Sequence, residues 1–321
     1  MPSIRQITGV VAVGLATLAS ALPAQPMLNE RALKLYDIHR RQNPSTGLPD
    51  GLTDIDVLQF ALTAENLETA FYSQGFAKFT DADFQAAGLT TTDITNLKSI
   101  ATTEQTHVTT LNSAIVGAGT QPVVACTYNF GFTTAAAMVQ TAAVLENIGV
   151  SAYLGAAPLV KSPDILTVAA EIVTVESRHQ TFIRTASKSA AIPSAFDTPL
   201  GIRSVFTLAA GFIQSCPVGS NLAITPFPAL TMTAGAANGT AAIQAGQTLQ
   251  VTTTATGATS CAFTNGGLPG GTAFTPFANG ECTVPQGLAG VTYMLLANQS
   301  PASGVLTDAI TVAGPMVLPI S

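Results

Sequence analysis

The chain has 321 residues, enough for two domains and a sizeable core. Hydrophobic residues make up 47% and charged residues only 9%, so Thr, Ser, Asn, Gln and Gly must cover much of the surface. A net charge of −6 and the lack of a basic cluster argue against nucleic acid as a partner, and the repeated runs of ~20 apolar residues of a polytopic membrane protein are absent.

Arg5, the apolar run Val10 to Leu18 and the small-x-small site Ala19-Ser20-Ala21 follow the order of a signal peptide, so residues 1–21 read as one, cut after Ala21. The expected protein is secreted, extracellular or in the cell wall. Residues 22–53 form an N-terminal extension. Within it, Leu28 to Arg41 suits a short helix ending in the dibasic pair Arg40-Arg41, either a processing site or a solvated helix end. His39 lies there and reads as structural or exposed.

Four amphipathic helices follow. The first spans about Asp54 to Phe79, with Leu58, Ala61, Leu62, Glu65, Thr69, Tyr72 and Phe76 on one face at 3.6 spacing. A turn-rich piece, Thr80 to Leu89, leads to a second helix capped near Thr90–Thr92, with the stripe Leu97, Ile100, Glu104, His107, Leu111, Ile115. The third runs from about Thr133 to Ala156 and aligns Val139, Ala142, Glu146, Val150 and Tyr153. The fourth opens at Ser162-Pro163-Asp164 and aligns Ile165, Val168, Ile172, Glu176, His179 and Ile183. A fifth apolar segment, Ile202 to Gln214, suits the side or end of the bundle.

Beyond Cys216 the composition turns to Thr, Ala, Gly and Pro. Thr248 to Thr254 and Val291 to Ala297 roughly alternate in period two, the pattern of short strands in a β-sandwich. The fold class is therefore multidomain α + β: a four-helix bundle plus a fifth helix over 54–216, then an all-β, sandwich-like domain over 222–321, with the boundary near Pro217 to Ser220. The β region carries no catalytic constellation and is expected to be indifferent to metal. Cys126, Cys216, Cys261 and Cys282 form no C-x-x-C pair, which disfavours zinc or thioredoxin chemistry. Four cysteines in an exported chain suggest two disulfides, and the domain division favours Cys126–Cys216 and Cys261–Cys282. Asn238 and Asn298 open glycosylation sequons, the second followed by Pro301, so a glycoprotein is expected.

Histidine and glutamate are scarce, at three and eight residues. Yet two of the three His stand three residues after a Glu, in Glu104-Gln105-Thr106-His107 and Glu176-Ser177-Arg178-His179. Random placement gives roughly 0.07 such motifs. Residues i and i+3 share a helix face, so each pair can reach one ion. Both pairs sit on the inward stripes, as do Glu65 and Glu146. Four helices each sending a carboxylate inward, with no inward Lys or Arg to match, call for cations, and a pair of divalent ions meets that need. The candidate metal set is Glu65, Glu104, His107, Glu146, Glu176 and His179. Glu68 is either a second ligand of the first helix or a residue facing solvent, and its place off the stripe favours Glu65. Tyr72 and Tyr153, each seven residues after a helix's glutamate, are candidates for holding the carboxylates or carrying radicals, beside the plainer reading as core. Glu171 lies off the His179 face and reads as surface.

The order Glu, Glu-x-x-His, Glu, Glu-x-x-His is that of ferritin-like di-iron and di-manganese sites. Residues from about Asp54 to Cys216, most clearly the segment Asp56 to Tyr72, resemble the ferritin-like domain of secreted fungal stress-response and sexual-development proteins, related to plant desiccation-related proteins. The resemblance covers about half of the mature chain. It implies the bundle and a site for two ions, iron or manganese, with dioxygen or peroxide as the small-molecule partner of an oxidase, ferroxidase or peroxide-consuming enzyme. The rival expectation is a non-enzymatic extracellular stress or wall protein with a structural metal site.

Overall fold

The computed structural model describes residues 51–218, 224–234 and 243–320; the expected signal peptide, His39, Arg40-Arg41 and Asn238 lie outside them. Its first half is helical: α1 (Asp54–Lys78), α2 (Asp81–Ala86), α3 (Thr91–Gly117), α4 (Ala135–Ala156), α5 (Pro163–Ala186) and α6 (Ile202–Ala210). The first three start alike. Thr53, Thr80 and Thr90 accept from the backbone N–H three residues on, and the aspartate there accepts from the threonine's own N–H, closing a capping box. The expected turn-rich piece after α1 thus contains a six-residue helix. Asp54, in the first turn of α1, also accepts from the N–H groups of Lys161 and Ser162 and so holds the start of α5.

The long helices pair α1 with α3 and α4 with α5, and the two pairs join through α1 and α4. α4 is buried almost along its whole length, from Ala135 to Ala156. Together with its 3₁₀ extension it is the one described helix long and apolar enough to cross a membrane, and 61% of that window is buried inside the protein. The chain between α3 and α4 carries β1 (Thr127–Tyr128), which pairs with β2 (Ile213–Ser215), and Cys126–Cys216 ties the same two segments. The apolar segment Ile202 to Gln214 is therefore not one helix: it ends as α6 at Ala210 and resumes as a strand after Gly211.

The C-terminal strands form two antiparallel sheets. One has the order β3 (Thr231–Ala234), β4 (Thr248–Thr252), β7 (Glu281–Thr283); the other β6 (Thr272–Pro276), β5 (Ser260–Thr264), β8 (Gly290–Ala297), β9 (Thr311–Ile320). Period-two alternation divides the larger sheet's side chains between two cores. Cys261, Phe263, Met294 and Leu296 meet Leu249 and Val251 of the smaller sheet. Ala262, Tyr293, Leu295 and Ala297 point the other way, into the core of the helices. Cys261–Cys282 joins β5 to β7 across the sandwich, so both expected disulfides are present.

Candidate metal centre

The centre lies where α1, α3, α4 and α5 converge. Glu65, Glu104, Glu146 and Glu176 are fully buried, and His107 and His179 nearly so. All six residues proposed from the sequence come together. Each histidine turns Nδ1 inward. His107 Nδ1 lies 3.3 Å from Glu65, 3.1 Å from Glu104 and 3.1 Å from Glu176. His179 Nδ1 lies 2.8 Å from Glu104 and 3.2 Å from Glu146. The rings are stacked with centroids 6.3 Å apart.

Two overlapping ligand sets follow: Glu65, Glu104, His107, Glu176, and Glu104, Glu146, Glu176, His179, each with donor atoms within 4.8 Å of one another. Glu104 and Glu176 belong to both sets. Oε2 of Glu176 is buried without a partner, and Oε1 of Glu176, Oε1 of Glu104 and Oε2 of Glu65 have only a histidine Nδ1 within 3.3 Å. Orphaned carboxylate oxygens in a buried site are costly unless a cation takes them up. The donor set, four carboxylates and two imidazoles, suits hard or borderline divalent ions such as iron and manganese.

The electrostatics carry the same tension. Burial pushes Glu65 up to about 7, against hydrogen bonds from His107 and Tyr153. Burial and neighbouring carboxylates raise Glu176 well above the usual range. Burial also opposes ionisation of Glu104, but hydrogen bonds from both histidines outweigh it and hold that carboxyl at about 2. Burial alone would lower the histidines; the surrounding carboxylates instead push His107 up to about 12 and His179 to about 9. Among the described residues no Lys or Arg pairs with the cluster, so the two imidazoles are its cations.

A second layer orients the first. Tyr153 donates its hydroxyl to Glu65 at 2.5 Å, and Tyr72 donates to Glu146, so each tyrosine reaches from one helix pair into the other. Burial raises both phenols well above their ordinary value, which keeps them protonated donors. His179 Nε2 lies 2.9 Å from Thr103 Oγ1, whose proton goes to the Ile100 carbonyl at 2.7 Å. The threonine oxygen must therefore accept from Nε2–H, so Nδ1 is the nitrogen that can lose its proton to bind an ion. The sequence reading passed over Thr103, although it adjoins Glu104. It also left open a solvent-facing Glu68; the structure buries Glu68, at 4% exposure.

The model of the ferritin-like domain family matches residues 53–189. Protein rds1 of Schizosaccharomyces pombe is similar to this chain, with 27% identity over 178 residues, 55% of this chain and 44% of that protein. The chain thus aligns with less than half of that relative's length, and the aligned length exceeds that of the helical family match. Residues 53–189 are a ferritin-like domain, and the two matches together support the resemblance of this chain to fungal ferritin-like proteins.

Proposed function

We propose that the centre binds two divalent ions, iron or manganese, and that the protein is a secreted oxidoreductase acting with dioxygen or peroxide. The observation that carries this reading is the pair of overlapping ligand sets sharing Glu104 and Glu176, with donor atoms within 4.8 Å of one another in a buried site. Bound there, such ions supply the electrons that reduce dioxygen or peroxide. The protein's side chains do the rest. Glu65 and His107 would hold one ion, Glu146 and His179 the other, and Glu104 and Glu176 would serve both. Tyr72 and Tyr153 fix the outer carboxylates. Burial of every ligand excludes large substrates and bulk water. An apolar pocket lined by Val57, Ala61, Ala64, Ala152, Val168 and Tyr153 lies beside the ring whose hydroxyl donates to Glu65, and its lining suits a small apolar molecule such as dioxygen. The two disulfides are consistent with an extracellular location.

Metal analysis of the purified protein, then calorimetry with and without iron(II) or manganese(II), tests the reading. Two ions per chain and a rise in melting temperature are expected, about 2.7 kcal/mol at a hundredfold excess over the dissociation constant. The double variant His107→Ala, His179→Ala should lose most of that gain. An equal response in both proteins would remove the histidines as ligands. The same burial favours a second reading, in which the ions only hold the helices of an extracellular structural protein. Oxygen or peroxide consumption by the metal-loaded protein supports the first reading, and a loaded but inert protein supports the second.

A further inference from the structure

The helical half repeats: Glu65 and Tyr72 in α1 match Glu146 and Tyr153 in α4. The repeat therefore aligns Glu68 with Gly149, each three residues after its glutamate. One half carries a carboxylate there and the other no side chain at all. In the fold these two positions meet. A Cβ placed on Gly149 would come within 2.9 Å of Glu68 Oε1 and 3.1 Å of Glu176 Oε2. The missing side chain leaves the space that Glu68 enters, beside the shared Glu176.

Glu68 is buried, and among the described residues it has neither a hydrogen bond nor an ion pair. The charges acting on it most strongly are all carboxylates, Glu176 first, then Glu65, Glu104 and Glu146. A buried carboxylate facing only carboxylates is a cost to the fold unless a cation joins it. The unpartnered Oε2 of Glu176 faces the same Gly149 space.

On the two-ion reading above, we propose that Glu68 is a further metal-binding carboxylate that serves the Glu65/His107 position and makes the two ion positions unequal in charge and affinity. Glu68 stands one turn after Glu65 on α1, so the two carboxylates share a helix face, which assigns Glu68 to that side. The pseudo-symmetric halves then hold an asymmetric centre, and the asymmetry is written at one aligned pair, Glu68 and Gly149.

Titration of the metal-free full-length chain with manganese(II), followed by calorimetry and by the spin-resonance signal of free ion, reads out both positions without any activity. Wild type should bind two ions in two separable steps. Glu68→Gln should weaken the tighter step by about tenfold or more and leave the other within about twofold. Gly149→Ala, which keeps Glu68 but fills its space, should weaken the same step. Glu171→Gln, a surface carboxylate, should change neither. Because Glu68→Gln takes a carboxyl out of a crowd of buried carboxylates, the metal-free variant should melt no lower than wild type; melting below it would reveal an existing partner and overturn the proposal. Two unchanged steps in Glu68→Gln overturn it as well, while leaving the two-ion reading intact. A wild type that binds no manganese or iron removes the two-ion reading itself, and this inference with it.

Discussion

A buried carboxylate keeps one orientation only if something holds its second oxygen. Tyr153 does this for Glu65 and Tyr72 for Glu146, each across the junction of the two helix pairs. Replacing either tyrosine with Phe should lower manganese(II) affinity by about 10- to 100-fold at the position whose carboxylate it holds, measured by the same titration. A capping residue contributes to acid stability. Asp93 has its carboxyl held below 3.8 by the Thr90 hydroxyl and backbone N–H. Its folded value lies under its unfolded one, so its contribution is present above the unfolded value and is lost as pH falls through the folded value. The drop in melting temperature between pH 7 and pH 3 should therefore be smaller in Asp93→Asn than in wild type. The site's core was legible because Glu and His are rare here, and two Glu-x-x-His motifs stand out against that scarcity. Glu68 was less so, because a stripe argument presumes one wet face. Val57, Phe60 and Phe71 lie off the α1 stripe and are buried too, so the helix has little wet face to assign.

Among the elements, α4 shows how closely its neighbours approach. Leu200 N–H donates to Ser151 C=O, and a Cβ on Gly155 would lie 1.9 Å from the Leu200 carbonyl oxygen. Gly155→Ala should cost roughly 1–3 kcal/mol in denaturant unfolding. Gly117→Ala, in open space at the end of α3, should be neutral or stabilise by roughly 0.5 kcal/mol; equal losses in both would show that helix ends, not the close approach, set the cost. Helix starts were legible wherever Thr and Asp stand three apart. The same spacing recurs at Thr80 and Asp83, but that piece reads as turn-rich in the sequence, because the six residues of α2 are too few for a periodic stripe to show. The break at Gly211 escaped notice because Phe212 and Ile213 extend the apolar run of α6 while their backbone turns to pair with β1.

On the scale of the whole molecule, the helices and the sandwich share a core. Tyr293 of β8 accepts from Asn147 Nδ2 at 2.7 Å and lies 2.8 Å from Ser151, while Gln180 donates to Asn147. Asn147 and Gln180 directly follow Glu146 and His179, so the sheet is anchored one residue from two of the candidate ligands. The β region is expected to ignore metal because it holds no comparable ligand set, yet part of its larger sheet packs into the core of the helices. Period-two alternation in β8 was legible, but which core each face would serve was not, since both faces are apolar. Covalent structure adds one more link between the halves. The stretch from Ser187 to Gly201 joins α5 to α6 and exposes Ile192 and Phe196, at 83% and 63%. It lies within the 90-residue ring closed by Cys126–Cys216, while every candidate ligand precedes it. Chymotrypsin cutting after Phe196 should therefore yield a nicked protein that still binds manganese and runs as one species until reductant is added, then as two. Separation without reductant would show the strap is open. A protease that severs this backbone leaves the centre and its sandwich on one molecule.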